Sequence, residues 1–277
     1  MWCCIMKLKI GISPCPNDTF IFHALFKNLI DADELEFEVT FADVQSLNEG
    51  ALAGDFDIVK ISYGNLWNVR NRYGLLYSGG AMGYGCGPLL LSTESNRFDP
   101  DIPVGVPGKN TTANALLRFW ATGESVTYET EYAVFDKLYH DLLNADRIQS
   151  LVIHENRFTY EQDGLHLICD LGEYWEKKTE APIPLGGIVI RRDLGADVAS
   201  HVDGLIRRSV EFAWNNPERS ESFIKEHAQE TKESVIKSHI GLYVNDFSAH
   251  MGDKGKTAIE RLQRLIAHSN RVEDLMF

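Results

Sequence analysis

"LKIGISPCPNDTFIFHAL", residues 8–25, holds the first decision about the fold. Leu8, Ile10 and Ile12 alternate with polar or small residues, the period of a half-buried strand. Two prolines then punctuate the chain, and an apolar stretch follows at once. Asn17 or Asp18 can cap a helix starting at about Asp18, because their side chains accept from otherwise unpaired amides. A strand feeding a helix through a tight turn is one step of an α/β fold, and the step repeats. "EFEVTFADV" (36–44) has strand character, and a helix from Ser46 is signalled by the S-x-x-E spacing of Ser46 and Glu49. "FDIVKIS" (56–62) is strand again. This order predicts a mostly parallel sheet with helices on its faces.

A second α/β series begins near "DIPVGVPGKNTTANALLRFWA" (101–121). It passes through the helical pattern "AVFDKLYHDLLNAD" (133–146) and the strand "SLVIHE" (150–155), and ends with "LGGIVIRRDL" (185–194). From 198 onward four segments carry apolar residues at helical spacing. We therefore expect an α/β protein of two lobes, a larger one from 1–96 and 194–277 and a smaller one from 97–193. The helical tail returns to the first lobe, and a ligand cleft lies between the two. The glycines of "SGGAMGYGCG" (78–87) do not spell a dinucleotide fingerprint and are read as a flexible crossover between strands.

Composition narrows the function. The 277 residues are 44% hydrophobic, enough for a real core. A formal charge of -13, from 40 acidic against 27 basic residues, lacks the basic field that nucleic acid or anionic lipid requires. The expected partner is a small, anionic molecule, and the chain itself is expected to be a monomer or a homodimer. The apolar run at the N-terminus is too short for an export signal, and no later segment is long enough to span a bilayer, so a cytoplasmic location is expected. Five scattered cysteines, Cys3, Cys4, Cys15, Cys86 and Cys169, make neither a disulfide framework nor a zinc cage and are expected to be reduced.

In the opening turn nothing local offers Cys15 a base, so it is expected to be a buried small hydrophobe and a bystander. The turn itself presents amides and the side chains of Asn17 and Asp18 to a ligand's oxygen atoms. "GVPGKNTTAN" (105–114) is not a P-loop, since Pro103 and Asn110 stand where glycine and Ser or Thr are needed. What remains is Thr111 and Thr112 at a helix start, a place for a carboxylate or hydroxyl; a plain helix cap satisfies the same pattern. "IHENRFTY" (153–160) lacks the second histidine of a zinc-protease helix, so no metal is expected. His154 follows a strand directly, where α/β sheets gather their functional groups, and imidazole is the commonest general base. A histidine packed at the strand end fits equally well. Glu155 and Arg157 either orient its ring or pair with each other. Lys60, Ile61 and Ser62 end another strand, and Lys60 can meet an anion or simply face solvent.

Six blocks taken in order, "SPCPNDTFIFHAL", "VKISYGNL", "GCGPLLLS", "PGKNTTANALLRF", "IHENRFTY" and "DLGEYWEKKTEAPIPLGGIVIRRDL", resemble the 1,4-dihydroxy-6-naphthoate synthases, lyases of the futalosine route to menaquinone. The resemblance runs from about residue 8 to 194. It implies a type II periplasmic-binding-protein-like fold without the export signal. The implied reaction is cleavage of cyclic dehypoxanthinyl futalosine to 1,4-dihydroxy-6-naphthoate and dihydroxyacetone, with no metal or organic cofactor. By the same resemblance His154 is the proton acceptor, and substrate contacts fall on Lys60, Ile61, Ser62, Thr111 and Thr112. Asn156 stands where the family pattern suggests glycine, and Asn is the non-glycine residue that best tolerates a left-handed backbone. The alternatives are a chorismate dehydratase-like enzyme of the same pathway and a non-catalytic small-molecule binding protein on the same fold.

Overall fold

The strand and helix read from residues 8–25 are present in the computed structural model as β1 (Met6–Ile12) and α1 (Pro16–Phe26). The structure describes residues 5–228, 232–267 and 275–277, and of Glu155 the backbone alone. Cys3 and Cys4 lie outside the described residues. β1 continues to β2 (Leu35–Phe41), α2 (Val44–Ala53), β3 (Ile58–Ser62) and α3 (Tyr63–Val69), then to the short strands β4 (Tyr73–Leu75) and β5 (Ala81–Gly83). The second lobe holds β6 (Leu89–Ser92), β7 (Val104–Val106), α4 (Thr112–Glu124), β8 (Thr130–Tyr132), α5 (Phe135–Leu143), β9 (Gln149–Val152), β10 (His166–Asp170) and α6 (Leu171–Thr179). The chain then returns through β11 (Ile183–Arg191) to α7 (Ala196–Asn215), α8 (Glu221–His227), α9 (Glu233–Tyr243), α10 (Asp246–Ala249) and α11 (Gly252–Ala267).

Each lobe has its own sheet. The first runs β2-β1-β3-β11-β4 with β5 paired to β11, and the second runs β10-β6-β9-β7-β8. β1 is parallel to β2 and β3, whereas β11 enters antiparallel between β3 and β4. This pairing moves the boundaries expected from sequence. Residues 89–92 belong to the second sheet and 183–191 to the first, so the chain crosses between lobes near 84–88 and again near 180–182. Both strands are runs of apolar residues whose sheet is chosen by long-range pairing, and local periodicity carries no mark of that choice.

Two helix starts also differ from the sequence reading. Cys15 is the N-cap of α1, with Pro16 at the first helical position, so neither Asn17 nor Asp18 serves as cap. Asp43, not Ser46, caps α2, its carboxylate accepting from the amides of Gln45 and Ser46. At α2 the Asp43 carboxylate, one turn before the expected start, satisfies the orphan amides, whereas at α1 the Cys15 side chain makes no cap bond and Pro16 sets the start.

Ile10, Ile12, Phe20, Phe22, Val202 and Leu205 pack the first sheet against α1 and α7. Each such buried side chain contributes about 1.5–3 kcal/mol. A second core, including Ile61, Tyr63, Leu116, Trp120, Trp175 and Ile183, continues from one lobe into the other. The tail helices pack chiefly on the first lobe; α9 also touches the turn that follows β9. Among the described residues no helix is long and apolar enough to cross a membrane. The glycine-rich stretch carries β5 and is largely buried. At its end Gly87 meets Gly172 so closely that a Cβ on Gly87 would lie 2.3 Å from the Gly172 Cα. It is a packed crossover, not a loose one.

Candidate active site in the cleft

The carboxyl ends of β1, β3, β7 and β9 converge on one cavity of about 100 Å³ between the lobes. Such convergence follows from parallel strand order, which puts the strand-to-helix turns on one edge of each sheet. Asn17, Asp18, Lys60, Ile61, Ser62, Thr111, Thr112 and His154, the residues singled out from sequence, all line it. They come from both lobes.

His154 sits in the 3-10 turn His154–Phe158 directly after β9, with φ of 62°. A histidine in this left-handed region stores about 1–3 kcal/mol of strain, and such strain gathers at functional sites. The residue bearing the positive φ is thus His154 itself, while Asn156 lies within the turn and needs no special conformation. Arg157 fixes the turn: its guanidinium donates to the Gly87 carbonyl at 2.6 Å and to the Asp170 carboxylate at 2.6 Å. Asp170 in turn caps α6.

Across the cleft the Cys15 Sγ lies 3.6 Å from His154 Nδ1. Cys15 is buried, as expected, but it is not a bystander. A residue 139 positions away in sequence reaches it only through the lobe closure. Among the described residues Cys15, Cys86 and Cys169 form no disulfide. Burial pushes the Cys86 thiol, which also lines the cavity, up to about 12, so it is inert as a nucleophile.

The floor is a buried polar network. The Lys60 ammonium donates to Asp18 Oδ1 at 2.7 Å and to the Gly79 carbonyl at 3.0 Å. Two of its three donors are used and its charge is balanced by Asp18, and it is buried, not the solvent-facing lysine that the sequence also allowed. Asp18 also accepts from the Ser13 hydroxyl at 2.7 Å and from Asn17 Nδ2 at 2.9 Å. The amide and hydroxyl of Ser62 are both bonded to the Asn48 side chain.

The two threonines divide their work. The Thr111 hydroxyl caps α4, donating to the Gly108 carbonyl and accepting from the Asn114 amide. Thr112 joins the lobes: its hydroxyl donates to the Leu185 carbonyl at 2.6 Å and accepts from the Gly64 amide at 3.0 Å. Gly64 is required here, because a Cβ would lie 2.6 Å from the Thr111 carbonyl. What α4 offers a ligand is therefore its N-terminal amides and dipole, over a helix of 13 residues. Among the described residues no group of three or more His, Cys, Asp or Glu is placed to hold a metal ion.

The sequence reading missed His239 and Tyr243. Both lie on α9, reach the cavity from the tail, and are buried. Their i, i+4 spacing on an apolar helix reads as ordinary core. His239 Nε2 is 3.0 Å from Asn17 Oδ1, and its ring lies nearly parallel to that of His154, with centroids 6.3 Å apart. Burial, and then the neighbouring His154, hold its pKa well below the usual histidine value.

Comparison with known proteins agrees with this geometry. A 1,4-dihydroxy-6-naphtoate synthase from Streptomyces coelicolor is 43% identical over 92% of this chain and 91% of its own. One from Thermus thermophilus is 41% identical over 92% of each. The crystal structure of protein AF1704 from Archaeoglobus fulgidus superposes with a TM-score of 0.87 at 27% identity, covering 95% of this chain and 97% of that one. A Candida albicans gene product with the generic periplasmic binding protein fold gives 0.67 at 12% identity, covering 98% and 93%, and bears on the fold alone. The family model for menaquinone biosynthesis matches residues 8–268. A cleft built from strand ends, two lobes of this topology and a match along nearly the whole sequence lead to one conclusion: the chain belongs to the menaquinone biosynthesis family.

Proposed function

We propose that this chain is a 1,4-dihydroxy-6-naphthoate synthase, a carbon–carbon lyase that cleaves cyclic dehypoxanthinyl futalosine to 1,4-dihydroxy-6-naphthoate and dihydroxyacetone. The observation that carries the reading is His154: a strained imidazole at a strand end, inside the cavity, in a chain more than 40% identical to two proteins of that name. His154 takes one proton from the substrate. Its removal starts carbon–carbon cleavage, and the aromaticity gained by the product drives the step forward. A base fixed in a closed cleft supplies both orientation and proton transfer, the latter alone accounting for about 10²–10⁴-fold in rate. The N-terminus of α4, at Thr111, holds a carboxylate or hydroxyl of the substrate, while Ile61 and Ser62 line its other side. In this reading Lys60 and Asp18 shape the floor, and the protein acts in the cytoplasm on a small anionic molecule.

The test is to incubate the purified, metal-stripped protein and its His154→Ala variant with cyclic dehypoxanthinyl futalosine and to follow naphthoate by chromatography. Product from the wild type alone is expected. Binding without product from the wild type overturns the lyase reading in favour of a receptor, and loss of water from chorismate favours the dehydratase.

A further inference from the structure

Arg157 does not line the cavity, yet it stands three residues beyond the proton acceptor and its side chain is largely buried. What it grips explains its place. β6 lies between β9 and β10, and at its first residue, Leu89, it pairs with Val152 on one side and Asp170 on the other. Both partner strands end there, and from β9 the chain runs straight on into the strained turn of His154. Arg157 ties that turn back: its guanidinium donates to the Gly87 carbonyl, two residues before Leu89, and to Asp170 Oδ2, each at 2.6 Å. His154 therefore stands in a short loop anchored at both ends to the start of β6, by strand pairing at Val152 and by the guanidinium at Arg157.

The two acceptors are themselves held. Asp170 Oδ1 accepts from the amides of Gly172 and Glu173 at 2.9 and 3.0 Å, which leaves Oδ2 to Arg157. The crossover that carries Gly87 is bonded on either side of it, the Gly85 amide donating to the Glu176 carboxylate at 2.7 Å and the Leu171 amide donating to the Pro88 carbonyl at 3.0 Å. Cys86, Gly87 and Pro88 of this crossover line the cavity.

We propose that Arg157 is a positioning residue for the proton transfer: it clamps the His154 turn onto the crossover at 84–88, so that the base and this wall of the cavity form one rigid piece where the chain passes between the lobes. The proposal rests on the lyase reading of the same cavity. Charge-assisted bonds are roughly twice as strong as neutral ones, and a planar guanidinium meets two acceptors in fixed directions, so the clamp sets orientation as well as distance. A histidine at positive φ persists only where its surroundings over-determine it. Without the second anchor the turn relaxes and the imidazole swings from its place. A misplacement of about 1 Å costs up to about 10²-fold in rate.

The test compares the wild type with Arg157→Met and Arg157→Lys, using cyclic dehypoxanthinyl futalosine for the kinetics and crystal structures of each protein for the φ of His154. Arg157→Met is expected to lower kcat by about 10- to 100-fold, to leave KM within a few-fold, and to lose the positive φ. Arg157→Lys, a point charge that cannot grip both acceptors, should recover only part of kcat. If the methionine variant fails to fold, Asp170→Asn replaces it; the asparagine still caps α6 but gives up the ion pair, and a fall of about 2- to 10-fold in kcat is expected. A lower Tm with kcat and the φ of His154 unchanged makes Arg157 a structural ion pair and overturns the proposal. A raised KM with kcat unchanged overturns it too, since Arg157 would then serve substrate binding. A wild type that makes no naphthoate defeats the lyase reading alone, and the φ of His154 in Arg157→Met still decides the clamp.

Discussion

The two walls of the cleft are built on opposite principles. On the first-lobe side Asp18, Lys60, Asn17, Ser13 and Ser62 bond to one another or to Asn48, in a buried network whose charges cancel. On the second-lobe side His154 projects from a strained 3-10 turn, and Thr111 opens a long helix toward the cavity. One wall fixes positions, because a buried, mutually hydrogen-bonded polar network with balanced charge favours one arrangement. The other brings the proton acceptor, and its strain is held by Arg157 and by the contact with Cys15. The division teaches that substitutions in the first wall should act mainly on stability, and those in the second mainly on turnover.

The largest expected effect breaks or upholds that division at once. His154→Ala is expected to lower turnover by about 10²–10⁴-fold while substrate affinity stays within a few-fold, as read by product formation and calorimetry. A matching loss of affinity would mean that the second wall also holds the ground state. Next, Lys60→Met leaves Asp18 buried without its partner and should destabilise the fold by about 3–5 kcal/mol in urea unfolding. The double variant Asp18→Asn/Lys60→Met should cost less than the sum of the singles. Third, Gly64→Ala forces a methyl group against the Thr111 backbone where the lobes meet, and about 1–3 kcal/mol of stability should be lost, visible as a lower Tm.

The fourth test sharpens the role of the buried imidazole. His239 has a pKa depressed below 6.5, so the unfolded chain binds the proton more readily than the native one. Its contribution is complete above pH 6.5 and is lost as pH falls below it, with a slope of up to about 1.4 kcal/mol per pH unit. His23, also depressed by burial, acts in the same direction, so the comparison is between the wild type and His239→Leu, whose stability profile should be flatter between pH 6.5 and 5. The smallest effect is expected from Cys15→Ala. Losing one bond to His154 Nδ1 should reduce kcat by about 2- to 10-fold with little change in Tm.

Much of the cleft was legible in the sequence because its parts are local. The strand, turn and helix of residues 8–25, the "KIS" strand end, the threonine pair at a helix start and the histidine after "SLVI" each carry their signal within a few residues. All eight residues singled out in this way line the cavity. Illegible were the partners those residues take. Lys60 has the look of an unpaired cation until Asp18, 42 positions earlier, is seen beside it. Cys15 has no visible base until His154 arrives, and His239 lies 222 positions from Asn17 on an apolar helix whose period speaks only of packing. The lobe boundaries failed for the same reason, since residues 89–92 and 183–191 read as strands without saying of which sheet.

The sequence by itself determined the α/β alternation, the two-lobe order and the places where functional groups leave strand ends, because hydrophobic period and turn chemistry act between near neighbours. The tertiary structure alone decided which charges cancel, which histidine carries the strained backbone and which buried imidazole packs beside it. Those outcomes depend on sheet pairing and lobe closure, which bring together groups more than a hundred residues apart and leave no periodic trace in the chain.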